Sequence, residues 1–397
     1  MRFLQISNVR LGADPESEKN WGRERAAEIK ESLKKALCRA SEESCDLFLI
    51  TGGLFSHQPV TSELSEVNRL FLSFPALQIV MISGRLDPLC KNAPARSFKW
   101  APNVHFAAED GLVRFRFPGI GTTVYAAAFG ENGAEPVSAL CRTYQEKFAK
   151  EETAAVKLLL LPELPFSSEE QKSEKRKNAG ISGEGQTSPI KEVISPMGEK
   201  AAGKTEEISA ALSGFSYIAA GGAAQHAELI PGKAYCAGTS EPLSMAEAGE
   251  HGYYIGDLSS ATGRLIDIRF EAAAAASYVP LLISVTPETG QEALLSLLRT
   301  EMEKRGKQNI YRLRISGRRS PDAEFNLEPL LREFRIAEFL DETVPQYDLS
   351  ELFAEHPQDM IGFYIGRLRS EEMERSAVEE KAMYYGIDAL LKTSGKP

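Results

Sequence analysis

The order of elements in the first ninety residues constrains this chain more than any other feature. A short apolar run at 3–6 is followed by a stretch, 23–40, whose apolar side chains Ala27, Ile29, Leu33 and Leu37 fall on one helical face. A second apolar run at 47–50 stops at Thr51-Gly-Gly53; a helical pattern over 61–72 and a third run, 78–82, stopping at Ser83-Gly84, repeat the unit. Strand, helix, strand in succession makes parallel strands with right-handed crossovers, and so gathers the strand-end loops on one edge of a sheet. Folds of this kind place their sites on that edge.

Further β-like runs at 113–117, 124–128 and 157–161 predict a second sheet packed on the first. Residues 167–204 are dominated by Ser, Glu, Lys and Gly, and their composition predicts a disordered loop. Order returns with a helix near 206–212, the strand 217–220 and β-like segments at 252–258 and 265–270. The alanine run 272–276 reads as a hinge. Beyond it come a strand at 281–285, a helix at 288–305, a strand at 310–315, a helix from Glu328 and a charged carboxyl-terminal helix from about Ser370. The expected division is therefore a first domain over 1–275, a smaller α+β domain over 276–368, and a helix or tail over 369–397.

Composition narrows the function classes. With 43% hydrophobic and 26% charged residues over 397 positions the chain has the make-up of a folded soluble protein. It lacks both a long apolar span and a leader pattern, which predicts a cytoplasmic protein with no membrane partner. Five cysteines without a Cys-x-x-Cys pair predict packed, reduced thiols. The net charge of −10 argues against a general polyanion binder, while leaving room for a local basic stripe.

The strand-end loops carry the informative residues. They read Gln5-Ile-Ser-Asn-Val-Arg-Leu-Gly12, Leu49-Ile-Thr-Gly-Gly-Leu-Phe-Ser56 and Ile82-Ser-Gly-Arg-Leu-Asp87, followed downstream by Lys157-Leu-Leu-Leu-Leu-Pro162 and Tyr217-Ile-Ala-Ala-Gly-Gly-Ala-Ala224. A site that clamps two divalent ions needs carboxylates and imidazoles converging from several such loops. In their order and spacing these segments resemble the SbcD-like calcineurin-type nucleases, metallophosphoesterases of DNA repair, and most closely the YhaO-type branch. The resemblance covers nearly the whole chain, and Ala237-Gly-Thr-Ser-Glu-Pro242 and Gly249-Glu-His-Gly-Tyr-Tyr254 extend it. In the second domain Arg312-Leu-Arg-Ile-Ser-Gly317, Asp341-Glu-Thr-Val-Pro345 and Ile361-Gly-Phe-Tyr-Ile365 are similar to the capping region of that branch.

The resemblance implies an α/β fold, a two-sheet metallophosphoesterase sandwich flanked by helices, with a smaller α+β capping domain. It also implies which positions would hold two manganese or magnesium ions, and each is altered. Asn8 and Arg10 stand where the family has its Asp-x-His pair. Gly53 replaces the bridging Asp and Ser56 a later Asp. Arg85 and Leu86 replace the Asn-His pair, and Pro162, Gly222 and Ala224 replace histidines, leaving Asp87, which the family uses mainly in a structural role. The expectation is an emptied pocket with no metal cofactor and no catalytic residue, hence a catalytically inactive homologue of a repair nuclease subunit. Such a protein would act through DNA, through a coiled-coil ATPase of the SbcC or YhaN type, or as a homodimer.

Several alternatives stand beside that expectation. An active manganese-dependent exonuclease would need substitute ligands that the sequence does not display; His57 and His226 are candidates for a relocated mononuclear site, and Asn8, Asp87, Glu163 and Glu241 for a weak magnesium or calcium site. A pure scaffold needs no DNA affinity. Arg10 and Arg85 either hold a phosphate, as guanidinium groups do bidentately, or fill space and pair with carboxylates. Arg312 and Arg314, on one face of a strand, and Arg318 and Arg319 after them form either a DNA-backbone contact or a solvated face.

Overall fold

The computed structural model describes residues 1–164, 208, 210–370 and 377–394, and divides the chain into two compact units, Met1–Ala275 and Ala276–Pro397. The stretch 167–204 lies outside the described residues, as do 206, 207 and 209 of the helix expected near Glu206, while 208, 210 and 211 are helical.

In the first unit, β1 (Arg2–Ile6), β2 (Leu47–Thr51), β3 (Gln78–Ile82) and β4 (Val104–Phe106) run parallel, joined through helices α1 (Gly22–Glu42), α2 (Thr61–Leu72) and α3 (Pro94–Ser97). After them come β5 (Leu112–Phe117), β6 (Thr122–Ala127), a short hairpin of β7 (Phe129–Gly130) and β8 (Gly133–Ala134), helix α4 (Val137–Lys147) and β9 (Val156–Leu161). The chain continues with β10 (Tyr217–Ala220), β11 (Ala227–Ile230), β12 (Ala234–Cys236), β13 (Gly252–Leu258) and β14 (Leu265–Ala272). One six-stranded sheet has the order β14-β13-β1-β2-β3-β4 and the other β11-β12-β10-β9-β6-β5.

The near-continuous apolar runs of the central strands follow from burial on both faces. Phe3, Leu47, Leu49, Val80 and Ile82 face Val124, Leu158, Leu160, Tyr217 and Ala219 across the gap between the sheets. The alternate residues Leu4, Ile6, Phe48, Ile50 and Met81 pack under Leu33, Ala36 and Leu37 of α1 and Leu64, Val67 and Phe71 of α2. The outer face of the second sheet meets α4 through Tyr125, Leu140, Tyr144 and Leu159. The first unit is thus an α/β sandwich of two sheets flanked by helices. Buried Gln5 joins them: its amide donates to the carbonyls of Ala220 and Tyr235 at 3.1 and 3.0 Å, and its oxygen accepts from the Tyr217 hydroxyl.

The second unit holds a parallel sheet of β15 (Tyr278–Val285), β16 (Ile310–Arg319) and β17 (Arg335–Asp341), with β18 (Val344–Pro345) beside the end of β16. Helix α5 (Gln291–Arg305) covers one face, with Leu294, Leu298 and Met302 against Leu281, Ile283 and Leu313. The helix expected from Glu328 is one turn only, α6 (Glu328–Leu331), because Phe334 and Ile336 are drawn into the sheet core and strand begins at Arg335. Helices α7 (Leu349–Glu355), α8 (Met360–Ser370) and α9 (Ala377–Ser394) follow. The carboxyl-terminal segment 369–397 holds the helix α9, which packs on the preceding helices. Met383, Tyr384 and Ile387 share a core with Ile361 and Ile365, so α9 belongs with the rest of the second unit.

Candidate functional site

The loops that leave β1, β2, β3, β9 and β10 meet at one edge of the sandwich, and they meet as backbone. Asn8 takes a left-handed conformation (φ 46°) so that its N–H reaches Gly52 O at 2.9 Å, while its side-chain amide donates to Ala223 O at 3.1 Å. Gly53 also has positive φ (64°), and a Cβ placed there would stand 2.4 Å from Asn8 Oδ1. A Cβ on neighbouring Gly84 would stand 2.4 Å from Gly53 N. On the loop after β10 a Cβ on Gly222 would be 2.8 Å from Glu163 Cβ and 3.1 Å from Pro162 O. Ala224 O accepts from Thr239 N at 2.8 Å. At Gly53 and Gly222, therefore, an added side chain would collide with Asn8, Glu163 and Pro162.

Asp87 fastens the second and third loops together. Its buried carboxylate accepts from Gly84 N at 2.7 Å and from Gly53 N and Phe55 N at 3.1 Å each. Burial pushes this carboxyl up to about 6, against the three N–H donors that pull it down. Leu86, beside it, is 43% exposed.

The two arginines do not share a pocket. Arg10, only 8% exposed, makes a bidentate pair with Glu247 at 2.8 and 2.6 Å and donates to Glu241 O at 3.0 Å. Burial alone would raise the Glu247 carboxyl, but the hydrogen bonds and charge of Arg10 hold it below its usual value. Arg85 has a side chain 67% exposed; it pairs with Glu163 and lies 5.5 Å from the Phe129 ring centroid. The free phosphate-holding cations that two unpaired arginines would offer are thus replaced by two ion pairs.

Sequence reading missed a buried network behind Arg10. Arg25, fully buried on α1, donates to Glu241 Oε2 at 2.6 Å and to Pro242 O at 2.9 Å; the other Glu241 oxygen accepts from Ser32 and from Ala275 N. Arg25 and Glu241 are far apart along the chain, and no local pattern in the sequence couples them.

The remaining candidates are also engaged. His226 stacks on Phe270 at 3.7 Å, and buried His251 lies 2.7 Å from Thr239 Oγ1. His57 lies between Ser56 and Glu63. In the second unit Arg312 pairs with Glu338 and Arg314 with Glu342, Arg319 donates to the carbonyls of Ser320, Pro321 and Ala323, and the Arg318 guanidinium lies 5.6 Å from the Tyr384 ring centroid.

Two divalent ions do not fit this donor set. Gly53, Leu86, Gly222 and Ala224 present no ligand atom, Arg10 is a cation, and Asp87 spends its oxygens on backbone N–H groups. Among the described residues no group of three or more His, Cys, Asp or Glu side chains is placed to hold a metal ion. Nor is any helix among them long and apolar enough to cross a membrane.

No protein-family model matches the chain, and no curated protein matches it. Among solved structures it is similar to the crystal structure of TT1561 of Thermus thermophilus, at 14% identity, with 68% of this chain and 98% of that chain covered and a TM-score of 0.34.

Proposed function

We propose that this chain is a degenerate relative of the SbcD/YhaO-type nucleases, one that has lost metal-dependent phosphodiester hydrolysis and works by holding a protein partner. The observation that carries this reading is the crowding of the strand-end edge: a side chain at Gly53 or Gly222 would collide with Asn8, Glu163 and Pro162, and Arg10 and Arg85 are paired with Glu247 and Glu163.

A protein partner is favoured over DNA. The net charge is −10, and the strand that offered a basic face carries Arg312 and Arg314 paired with Glu338 and Glu342. Duplex binding draws on cations that can replace counterions, and these are already matched. On α8, in contrast, Met360 is 70% and Phe363 72% exposed, and with Tyr364 and Ala389 they line an apolar groove between α8 and α9. Exposed apolar patches of this kind mark interaction surfaces. The partner that the sequence resemblance suggests is a coiled-coil ATPase of the SbcC or YhaN type.

The test is retention of that ATPase, from the same organism, on the immobilised full chain. Retention that is lost in Phe363→Glu without a change in melting temperature supports the reading. Equal retention by both chains, or chelator-sensitive DNA cleavage by the chain alone, contradicts it.

A further inference from the structure

We propose that Ser56, His57 and Glu63 form a metal-free nucleophilic relay that hydrolyses small uncharged carboxylic esters at the outer end of the second strand-end loop. Ser56 Oγ lies 3.1 Å from His57 Nδ1, and His57 Nε2 lies 3.1 and 3.2 Å from the two carboxylate oxygens of Glu63. Hydroxyl, imidazole and carboxylate in that order are the connectivity that activates a serine. The ring is used in the opposite sense from the commonest arrangement, with Nδ1 toward the hydroxyl.

Each member is held from outside the relay. Ser56 N donates to Leu11 O at 3.0 Å and the Ser56 hydroxyl lies 3.2 Å from the same oxygen, which holds the nucleophile against the first loop; for attack its proton turns from Leu11 O to His57 Nδ1. Glu63 Oε2 accepts from Val60 N at 2.9 Å at the start of α2, which fixes the carboxylate. The ring lies against Gly12, where a Cβ would stand 2.6 Å from His57 Cε1, so only glycine leaves room for it. The His57 side chain is nonetheless 46% exposed and Ser56 half-buried, so the relay opens toward solvent.

The chemistry balances without metal or oxidant. With its proton on Nε2 facing Glu63, the neutral ring accepts the Ser56 Oγ proton at Nδ1 as Oγ attacks the ester carbonyl. The carbon–oxygen bond to the alcohol then breaks, the leaving oxygen takes the proton from Nδ1, and the acyl group remains on Ser56. Water attacks that acyl group, passes its proton to Nδ1, and the acid leaves as the proton returns to Oγ. Glu63 stabilises the imidazolium in both halves and acts as the positioning residue. Its negative charge disfavours phosphate esters as substrates. The relay sits on the outer end of the second strand-end loop and leaves the partner groove untouched, so this activity stands or falls separately from the partner binding proposed above.

The full chain is to be treated, in the presence of a chelator, with a fluorophosphonate probe and with p-nitrophenyl acetate. The expected result is an adduct mapped to Ser56 by peptide mass spectrometry and a turnover that falls at least about 100-fold in Ser56→Ala and in His57→Gln, with melting temperatures unchanged. Glu63→Gln is expected to lower kcat and leave KM unchanged, which a merely structural role would not do. Absence of the Ser56 adduct, or Ser56→Ala hydrolysing the ester as fast as the parent chain, overturns the proposal.

Discussion

At the scale of single residues, Arg10 and Arg85 differ mainly in how deeply their ion pairs are buried. Removing Arg10 leaves Glu247 largely buried and without its bidentate partner, so Arg10→Ala is expected to cost about 3–5 kcal/mol. Arg85→Ala loses only a solvent-screened pair and is expected to cost less than about 1 kcal/mol. Urea unfolding of the two variants checks the contrast, and comparable costs would contradict it. Asp87 gives a pH signature. Burial raises its carboxyl from 3.8 to about 6 in the folded chain, which then holds the proton more tightly than the unfolded chain does. Its contribution to stability is therefore complete below about pH 4 and declines as pH rises to about 6, by about 3 kcal/mol. Denaturation midpoints across that window, in the parent chain and in Asp87→Ala, measure it: the variant should lose this slope. It should also be less stable at every pH, since three buried N–H groups lose their acceptor at about 1–3 kcal/mol each.

At the scale of elements, the strands and helices that set up the strand-end edge were legible because their signal is local. Apolar runs such as 47–50 and 78–82 and the helical face of 23–40 need no knowledge of distant residues. That Arg10, Gly53 and Gly222 offer no metal-ligand atom was equally legible, being a matter of residue identity. The partners of the replacements were not. Glu247 and Glu241 reach Arg10 and Arg25 only once β13 is laid antiparallel beside β1, and nothing in the spacing announces that. The length of α6 was missed for a related reason, since burial of Phe334 and Ile336 in the sheet core overrides a helical start at Glu328. Closure of the second loop yields its own prediction. Gly53→Asp restores a carboxylate in sequence, yet it puts a Cβ against Asn8 in a left-handed conformation. It is expected to destabilise by about 2 kcal/mol or more, with no recovery on adding manganese. A thermal shift upward in manganese would contradict that.

At the scale of the molecule, the chain is two units, each with its own core. Residues 276–397 expressed alone are expected to melt cooperatively, because Leu281, Leu298, Met302 and Leu313 in one cluster and Ile365 with Ile387 in another are satisfied within that segment. A broad transition without heat-capacity change would refute this. The central proposal concerns the first unit: that its strand-end edge carries crowded loops and paired charge and holds no two-metal centre. The most direct measurement is the manganese content of the full chain after saturation with manganese and gel filtration, read alongside cleavage of a labelled duplex with and without chelator. Far less than one ion per chain, and no chelator-sensitive cleavage, is the expected result. Two ions per chain with cleavage abolished by chelator would contradict it.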